Sequence, residues 1–284
     1  MAENTIHLSE ILRRYGLHLK RSLGQNFLAD PVHLDRIVAA AELIRADRVI
    51  EVGPGVGTLT TRLAAAAGHV TAVELDTALL PALQETLAPY PNTTIVQGDI
   101  LKLDPARVIS ASTSVSDRAA YKVVANLPYY ITSAAIRHLL TATPPPSLLV
   151  LTIQREVAQR IIAKPPEMSL LAVSVQFYSQ PELVARIPAG AFYPPPKVDS
   201  AILRLRPWAV RPVEADADAF FTVARAGFGQ RRKQLRNSLR SGLELPQDAI
   251  DALLDAAGVD GQRRAETLTL AEWAQLARAW VAAR

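Results

Sequence analysis

The chain has 284 residues, 49% hydrophobic and 20% charged, enough to bury one substantial core and a smaller second one. Its formal charge of +4 is a small excess of Lys and Arg, so where the charge gathers matters more than its total. Without cysteine there is no disulfide framework and no thiolate metal site, which fits a reducing, cytoplasmic compartment. The five histidines lack the i, i+4 spacing of a helical metal pair, so no metal is expected. The N-terminus "MAENTIHLSEILRRYG" is amphipathic with early acids, unlike a signal peptide, and no apolar run reaches the roughly 18 residues of a membrane span.

In chain order, Ile6, Leu8, Ile11 and Leu12 fall at helical spacing, and "DPVHLDRIVAAAEL" starts a second helix with Asp30 as N-cap and Pro31 in the first turn. The basic connector "LHLKRSLGQNFLAD" joins them. "RVIEVGPGVGTLTTRLAAAAG" predicts strand, glycine turn and helix, ending at Gly68. "HVTAVELD", "TTIVQGDIL", "YKVVANLPYY" and "SLLVLTIQ" predict four more strands, with helices over "TALLPALQETLAPY" and "SAAIRHLLTA" and a Ser-rich loop at 110–118. Strands alternating with helices at this spacing predict βαβ units in a doubly wound, mostly parallel α/β sheet. "MSLLAVSVQFYS" reads as a helix, and "PELVARIP" and "AILRLRPW" as late strands suited to an antiparallel edge. After Trp208 a Pro- and acid-containing linker leads into three or four helices. This sets a domain boundary near residue 210: a first domain of 1–209, with an N-terminal helical extension of 1–45, and a small all-helical domain of 210–284.

Chemistry gathers at the strand ends. Gly53, Gly55 and Gly57 follow the first strand and precede a helix, where missing side chains let the backbone approach a ligand. Such a turn alone also serves a dinucleotide. Glu51, at its leading edge, repels a pyrophosphate and suits a cationic ligand, which tilts the choice toward S-adenosylmethionine. Glu74, ending the second strand, can accept from both ribose hydroxyls, and Asp99, ending the third, can meet an adenine amino group. At the end of the fourth strand, the Asn126 side-chain oxygen and the Pro128 carbonyl are acceptors for the N–H bonds of a planar amine. Tyr129 can stack on its ring. Taken alone, the same stretch also reads as a strand stopped by proline with core tyrosines.

With those residues in view, the chain resembles the bacterial small-subunit type of the ribosomal RNA adenine N6,N6-dimethyltransferases over nearly its full length. The resemblance rests on "LGQNFL" (23–28), "EVGPGVGTLT" (51–60), "VELD" (73–76), "GDIL" (98–101), "NLPYYIT" (126–132), "FYPPPKVDSAI" (192–202), "FGQRRKQLRNSL" (228–239) and "RAETL" (264–268). It implies a class I methyltransferase (Rossmann-like) fold and a catalytic first domain. The implied activity transfers methyl groups from S-adenosylmethionine to N6 of two adjacent adenosines near the 3′ end of 16S rRNA, in a small-subunit (30S) assembly intermediate. Cofactor contacts carry over onto Asn26, Leu28, Gly53, Glu74, Asp99 and Asn126. The target-adenine pocket carries over onto Asn126, Leu127, Pro128 and Tyr129, with Phe192 as a second stacking surface. Tyr130 stands where some relatives have Asn and takes no role in this reading. The alternatives are a 23S rRNA methylase of antibiotic-resistance type, or an assembly or transcription factor on the same scaffold.

RNA contact is expected from Arg225, Arg231, Arg232, Lys233, Arg236 and Arg240, because Ala219 to Leu243 contains no acid. The bland alternative is a solvated helix face. Lys20 and Arg21 add positive charge ahead of the glycine turn. Nothing in the sequence demands a dimer, and a monomer is expected.

Overall fold

The computed structural model describes residues 8–17, 24–113 and 120–284. In chain order the elements are α1 (Leu8–Arg14), β1 (Phe27–Leu28), α2 (Pro31–Ala40), β2 (Arg48–Val52), α3 (Thr60–Ala66), β3 (His69–Glu74), α4 (Leu80–Leu87), β4 (Thr93–Gln97), α5 (Pro105–Thr113), β5 (Lys122–Asn126), α6 (Thr132–Leu140), β6 (Leu148–Gln154), α7 (Arg155–Ile162) and α8 (Leu170–Tyr178). They continue as β7 (Ser179–Ile187), β8 (Phe192–Tyr193), β9 (Ser200–Pro207), α9 (Ala217–Phe228), α10 (Leu235–Leu243), α11 (Gln247–Ala257) and α12 (Leu270–Ala282).

Two compact units result, one of Met1–Ala158 with Glu182–Pro207, the other of Gln159–Pro181 with Trp208–Arg284. The first is built on a seven-stranded sheet in the order β4-β3-β2-β5-β6-β9-β7. Strands β4, β3, β2, β5 and β6 pair in parallel, and β9 pairs antiparallel with β6, Gln154 opposite Ser200. Val49, Ile50, Val123, Val124, Leu149 and Val150 are all fully buried, as central strands covered on both faces by crossover helices require. The Asp30 carboxylate accepts from the Val32 and His33 N–H groups and starts α2 behind Pro31. Because β3 and β4 lie to one side of β2 while β5 and β6 lie to the other, the strand order reverses between β2 and β5. In open α/β sheets that reversal opens a crevice at the carboxyl ends of the strands.

Departures from the sequence reading include the Ser-rich loop and the domain boundary. Ser110 to Thr113, expected in a loop, close α5: the Ser112 hydroxyl donates to the Val108 carbonyl one turn back and so tolerates helix. Residues 114–118 of that loop lie outside the described residues. The second unit also takes in the segment 159–181, which the sequence reading left with the first domain. The reason is apolar: Met168, Ala172, Val173 and Phe177 join one core with Phe220, Val223, Leu239, Leu254 and Trp273. Four helices, α9 to α12, make up the rest of this unit. Asp216 caps α9, and Thr269 with Glu272 forms a capping box on α12. At Gly227 an added Cβ would lie 2.4 Å from Trp273 Cη2, so only glycine lets α9 approach α12 this closely.

Candidate active site

The crevice at the strand reversal is a cavity of about 330 Å³, built from the carboxyl ends of β2 to β5 and roofed by Gly24 to Phe27. Gly53 and Gly55 both have positive φ, +69° and +63°, where a side chain is strained. Gly55 also has no room: an added Cβ would lie 2.3 Å from the Phe27 ring. At Gly53 the same construction comes within 4.0 Å of the Asn126 carbonyl oxygen and of Pro128 Cδ. The glycine turn and the Asn-Leu-Pro-Tyr stretch therefore face one another across the crevice.

Each polar group on the wall is oriented by a bond behind it. Glu74 accepts from the Gly55 N–H at 3.1 Å through Oε2 and from the Asp76 N–H at 2.8 Å through Oε1. Burial pushes its carboxyl above the ordinary value, and those two N–H groups pull it back toward the charged form. Asp99 accepts from the Leu101 N–H at 3.0 Å through Oδ1. The Asn126 side-chain N–H donates to the Asn26 carbonyl at 2.9 Å, which turns its Oδ1 away as a free acceptor. The Pro128 carbonyl already accepts from the Ile131 N–H at 3.1 Å and keeps a second lone pair. The Tyr129 hydroxyl is hydrogen-bonded to the buried Ser200 hydroxyl at 2.7 Å.

Of the residues expected here, Asn26, Gly53, Glu74, Asp99, Asn126, Leu127, Pro128 and Tyr129 all line the one cavity. Leu127 contributes backbone, since its side chain is buried and its N–H donates to Thr152. Leu28 and Phe192 do not reach the cavity. They sit opposite each other in the short β1–β8 pair and pack into the core beneath it, Phe192 only 4% exposed. Phe192 therefore offers no stacking face in this structure. Strand alternation turns Tyr193 outward instead.

Glu51 also differs from its expected role. It is 1% exposed, does not line the cavity, and burial pushes its carboxyl up to about 8, the Thr60 hydroxyl opposing and Glu74 adding to the shift. At neutral pH it is uncharged, so the preference for a cationic ligand falls to Glu74 and Asp99. The sequence reading missed Gln25, Leu75, Ile100 and Tyr130, which also line the cavity. Leu75 and Ile100 each directly follow a strand-end acid, a spacing that could have flagged them as apolar walls for a flat ring. Gln25 donates to the Asp76 carboxylate at 2.8 Å, tying the roof to the end of β3.

In the second unit the expected basic residues divide. Arg236 is ion-paired with Asp251 at 2.9 Å and Arg240 donates to Gln247 at 3.3 Å, both partners lying beyond the acid-free stretch. Arg225, Arg231, Arg232 and Lys233 are exposed, and their side chains have neither an ion pair nor a hydrogen bond among the described residues. Lys20 and Arg21 lie outside the described residues.

A glycine turn at the strand reversal, followed by carboxylates ending β3 and β4, suits a nucleoside joined to a cationic amino acid better than a pyrophosphate. Fold and pocket together are those of a class I methyltransferase, and the cofactor they fit is S-adenosylmethionine. Residues 16–280 match the family model for ribosomal RNA adenine dimethylases. The chain belongs to that family and is an S-adenosylmethionine-dependent rRNA adenine dimethyltransferase. Among its relatives, a protein of Dehalococcoides mccartyi named ribosomal RNA small subunit methyltransferase A is 47% identical over 94% of this chain and 90% of its own length. One of the same name from Geobacillus thermodenitrificans is 46% identical over 95% of this chain and 94% of its own. The crystal structure of the 23S rRNA methyltransferase ErmE superposes with a TM-score of 0.70 at 31% identity, covering 89% of this chain and 99% of that one. A dimethyladenosine transferase from Plasmodium falciparum shares the fold, with a TM-score of 0.73 at 24% identity over 88% of this chain and 95% of that one.

Proposed function

We propose that this chain dimethylates N6 of two adjacent adenosines near the 3′ end of 16S rRNA, acting as a cytoplasmic monomer on an assembling small ribosomal subunit. The substrate assignment is supported by relatives named for the small subunit at 44–47% identity, against 31% for the 23S enzyme.

The observation that carries the chemistry is the orientation of Asn126. With its N–H bonded to Asn26, its oxygen accepts one N6–H of an extruded adenine, and the Pro128 carbonyl accepts the other. Two acceptors draw the amine out of conjugation with the ring and free its lone pair. Tyr129, held by Ser200, stacks on the purine face. S-adenosylmethionine, when bound, supplies a sulfonium-activated methyl group. Glu74 holds the cofactor's ribose hydroxyls, and Asp99 its adenine amino group. In that complex the N6 lone pair would take the methyl carbon as the C–S bond gave way, and the adenine nitrogen would pass its proton to water. Positioning does most of the work, and no strong base is needed. After one methyl transfer a single N6–H remains, and one acceptor suffices to orient it.

The RNA is held by the second unit, whose unpartnered cations Arg225, Arg231, Arg232 and Lys233 contact phosphates. The test is incubation with tritiated cofactor and either unmethylated small subunits or protein-free 23S rRNA. Dimethyladenosine is expected in digests of the former. Its absence there, or its appearance mainly in 23S rRNA, rejects the assignment.

A further inference from the structure

A second cavity lies wholly within the helical unit, where α9 meets α10. The two helices touch at Gly242, where an added Cβ would lie 2.5 Å from Ala226 Cα. Beside that contact, Thr222 and Arg225 of α9 face Ser238 and Ser241 of α10, and Gln230 completes the rim of a cavity of about 330 Å³. Among the described residues no carboxylate lines it. The Ser238 hydroxyl, in a side chain 1% exposed, donates to the Gln230 carbonyl at 3.3 Å and fixes one wall. The side chains of Thr222, Arg225 and Ser241 form no hydrogen bond among the described residues, so two hydroxyls and a guanidinium line one notch with their donors unspent.

Donor groups of this kind, with no compensating acid, complement a phosphate. The cavity also has the opposite character at one end. It abuts Gly229 at the carboxyl terminus of α9, where the Gly229 N–H donates to the Ala226 carbonyl and the other carbonyls of the last turn lack i+4 donors within the helix. Those carbonyls oppose a bare anion but accept from a hydroxyl. A ligand with a phosphate at one end and a hydroxyl donor at the other satisfies both, and the ribose-phosphate unit of RNA is such a ligand, its 2′-OH being what separates it from DNA. Arg231, Arg232 and Lys233, in the turn that links the two helices, extend positive charge from the same place.

We propose that this notch seats one ribose-phosphate unit of the RNA backbone, a binding site distinct from the methyl-transfer pocket. The proposal rests on the rRNA-methylating function above. Free phosphate shares half of its chemistry, so the test separates the two sources.

The full-length protein, Arg225→Ala and Ser241→Leu are titrated against unmethylated small subunits, against a single-stranded RNA and against the DNA of the same sequence. Both substituted residues are exposed, and Leu at 241 fills the notch from its rim. Each variant is expected to bind subunits and RNA about tenfold more weakly, to lose much of the wild-type preference for RNA over DNA, and to melt as the wild type does. Millimolar inorganic phosphate is expected not to displace the RNA. Unchanged RNA affinity in both variants overturns the proposal, as does displacement by phosphate alone. A wild-type chain that methylates subunits while the variants bind normally sinks the notch but spares the function. A wild-type chain that neither binds nor methylates sinks both.

Discussion

In the methyl-transfer pocket each polar group is anchored from behind: Asn126 by Asn26, Glu74 by Gly55 and Asp76, Tyr129 by Ser200. The basic stretch of the second unit is the reverse, with the side chains of Arg225, Arg231, Arg232 and Lys233 exposed and bonded to nothing among the described residues. Chemistry on a single atom needs donors and acceptors fixed before the substrate arrives, because reorganisation at the reacting centre would cost rate. Recognition of a backbone that repeats the same charge needs reach and positive potential, and mobile side chains supply both. Removing a pocket residue should therefore abolish a step, and removing a surface cation should only grade an affinity.

The largest effect is expected at Asn126. Asn126→Ala deletes the oriented acceptor, and methyl transfer to small subunits should fall on the order of 10²- to 10³-fold, the usual cost of losing one preorganised polar group. Subunit affinity should stay within about twofold, since the phosphate contacts lie in the other unit. Equal losses in both measurements would break the division between the two regions.

Glu51 sharpens the comparison from the side of burial, since in the first unit even a carboxylate is stripped of its charge. The folded protein keeps this group protonated up to about pH 8, whereas in the unfolded chain it ionises near the ordinary 4.5. The native state thus binds a proton that the unfolded state releases between those values. The stability this group contributes is fully present below about pH 4.5 and is lost as the pH rises to about 8, by an amount on the order of a few kcal/mol. Glu51→Gln has nothing to titrate. Its urea-unfolding free energy relative to wild type should rise across that window and level off above it. Parallel pH curves for the two proteins would show that Glu51 does not titrate in this way.

The basic helices give a graded response. Replacing Arg231, Arg232 and Lys233 together with Ala should lower the slope of log affinity against log salt, measured on unmethylated subunits, by about 2, roughly one counterion per lost phosphate contact. Arg236→Ala, although it removes as much charge as any one of those three, should change that slope by less than about 0.5, because Asp251 already neutralises Arg236. Equal slope changes per residue would mean that internal pairing does not decide which cations meet the RNA.

Arg236 also shows where sequence reading runs out. Its partner Asp251 sits just beyond the acid-free stretch, so a charge count over 219–243 could not see the pair. The strand–turn–helix order was legible because apolar period and glycine punctuation are local signals, and they placed Gly53, Glu74, Asp99 and Asn126 on one sheet edge. What could not be read were contacts between distant segments. The two-residue pairing of Phe27–Leu28 with Phe192–Tyr193 carries no periodicity of its own, yet it is what buries Phe192 and turns Tyr193 outward. The segment 159–181 likewise reads as one more helix of the first domain until its apolar face is seen against Phe220 and Trp273.

Ser200, within "FYPPPKVDSAI", carries no signal of a role in the sequence, and the smallest predicted effect lies there. Its hydroxyl is buried and bonds Tyr129 at 2.7 Å, so either Ser200→Ala or Tyr129→Phe removes the same bond. Burial raises the Tyr129 hydroxyl above its ordinary value, which keeps it neutral, and a neutral bond of this kind is worth about 1 kcal/mol, or roughly fivefold. If the bond works by fixing the stacking face of Tyr129, kcat/KM for small subunits should fall by about that factor in each single variant and no further in the double variant, because the second change has nothing left to remove. Cofactor affinity, measured separately, should not follow. Losses that multiply in the double variant would mean that Ser200 and Tyr129 act independently, and that the ring is oriented by its packing instead.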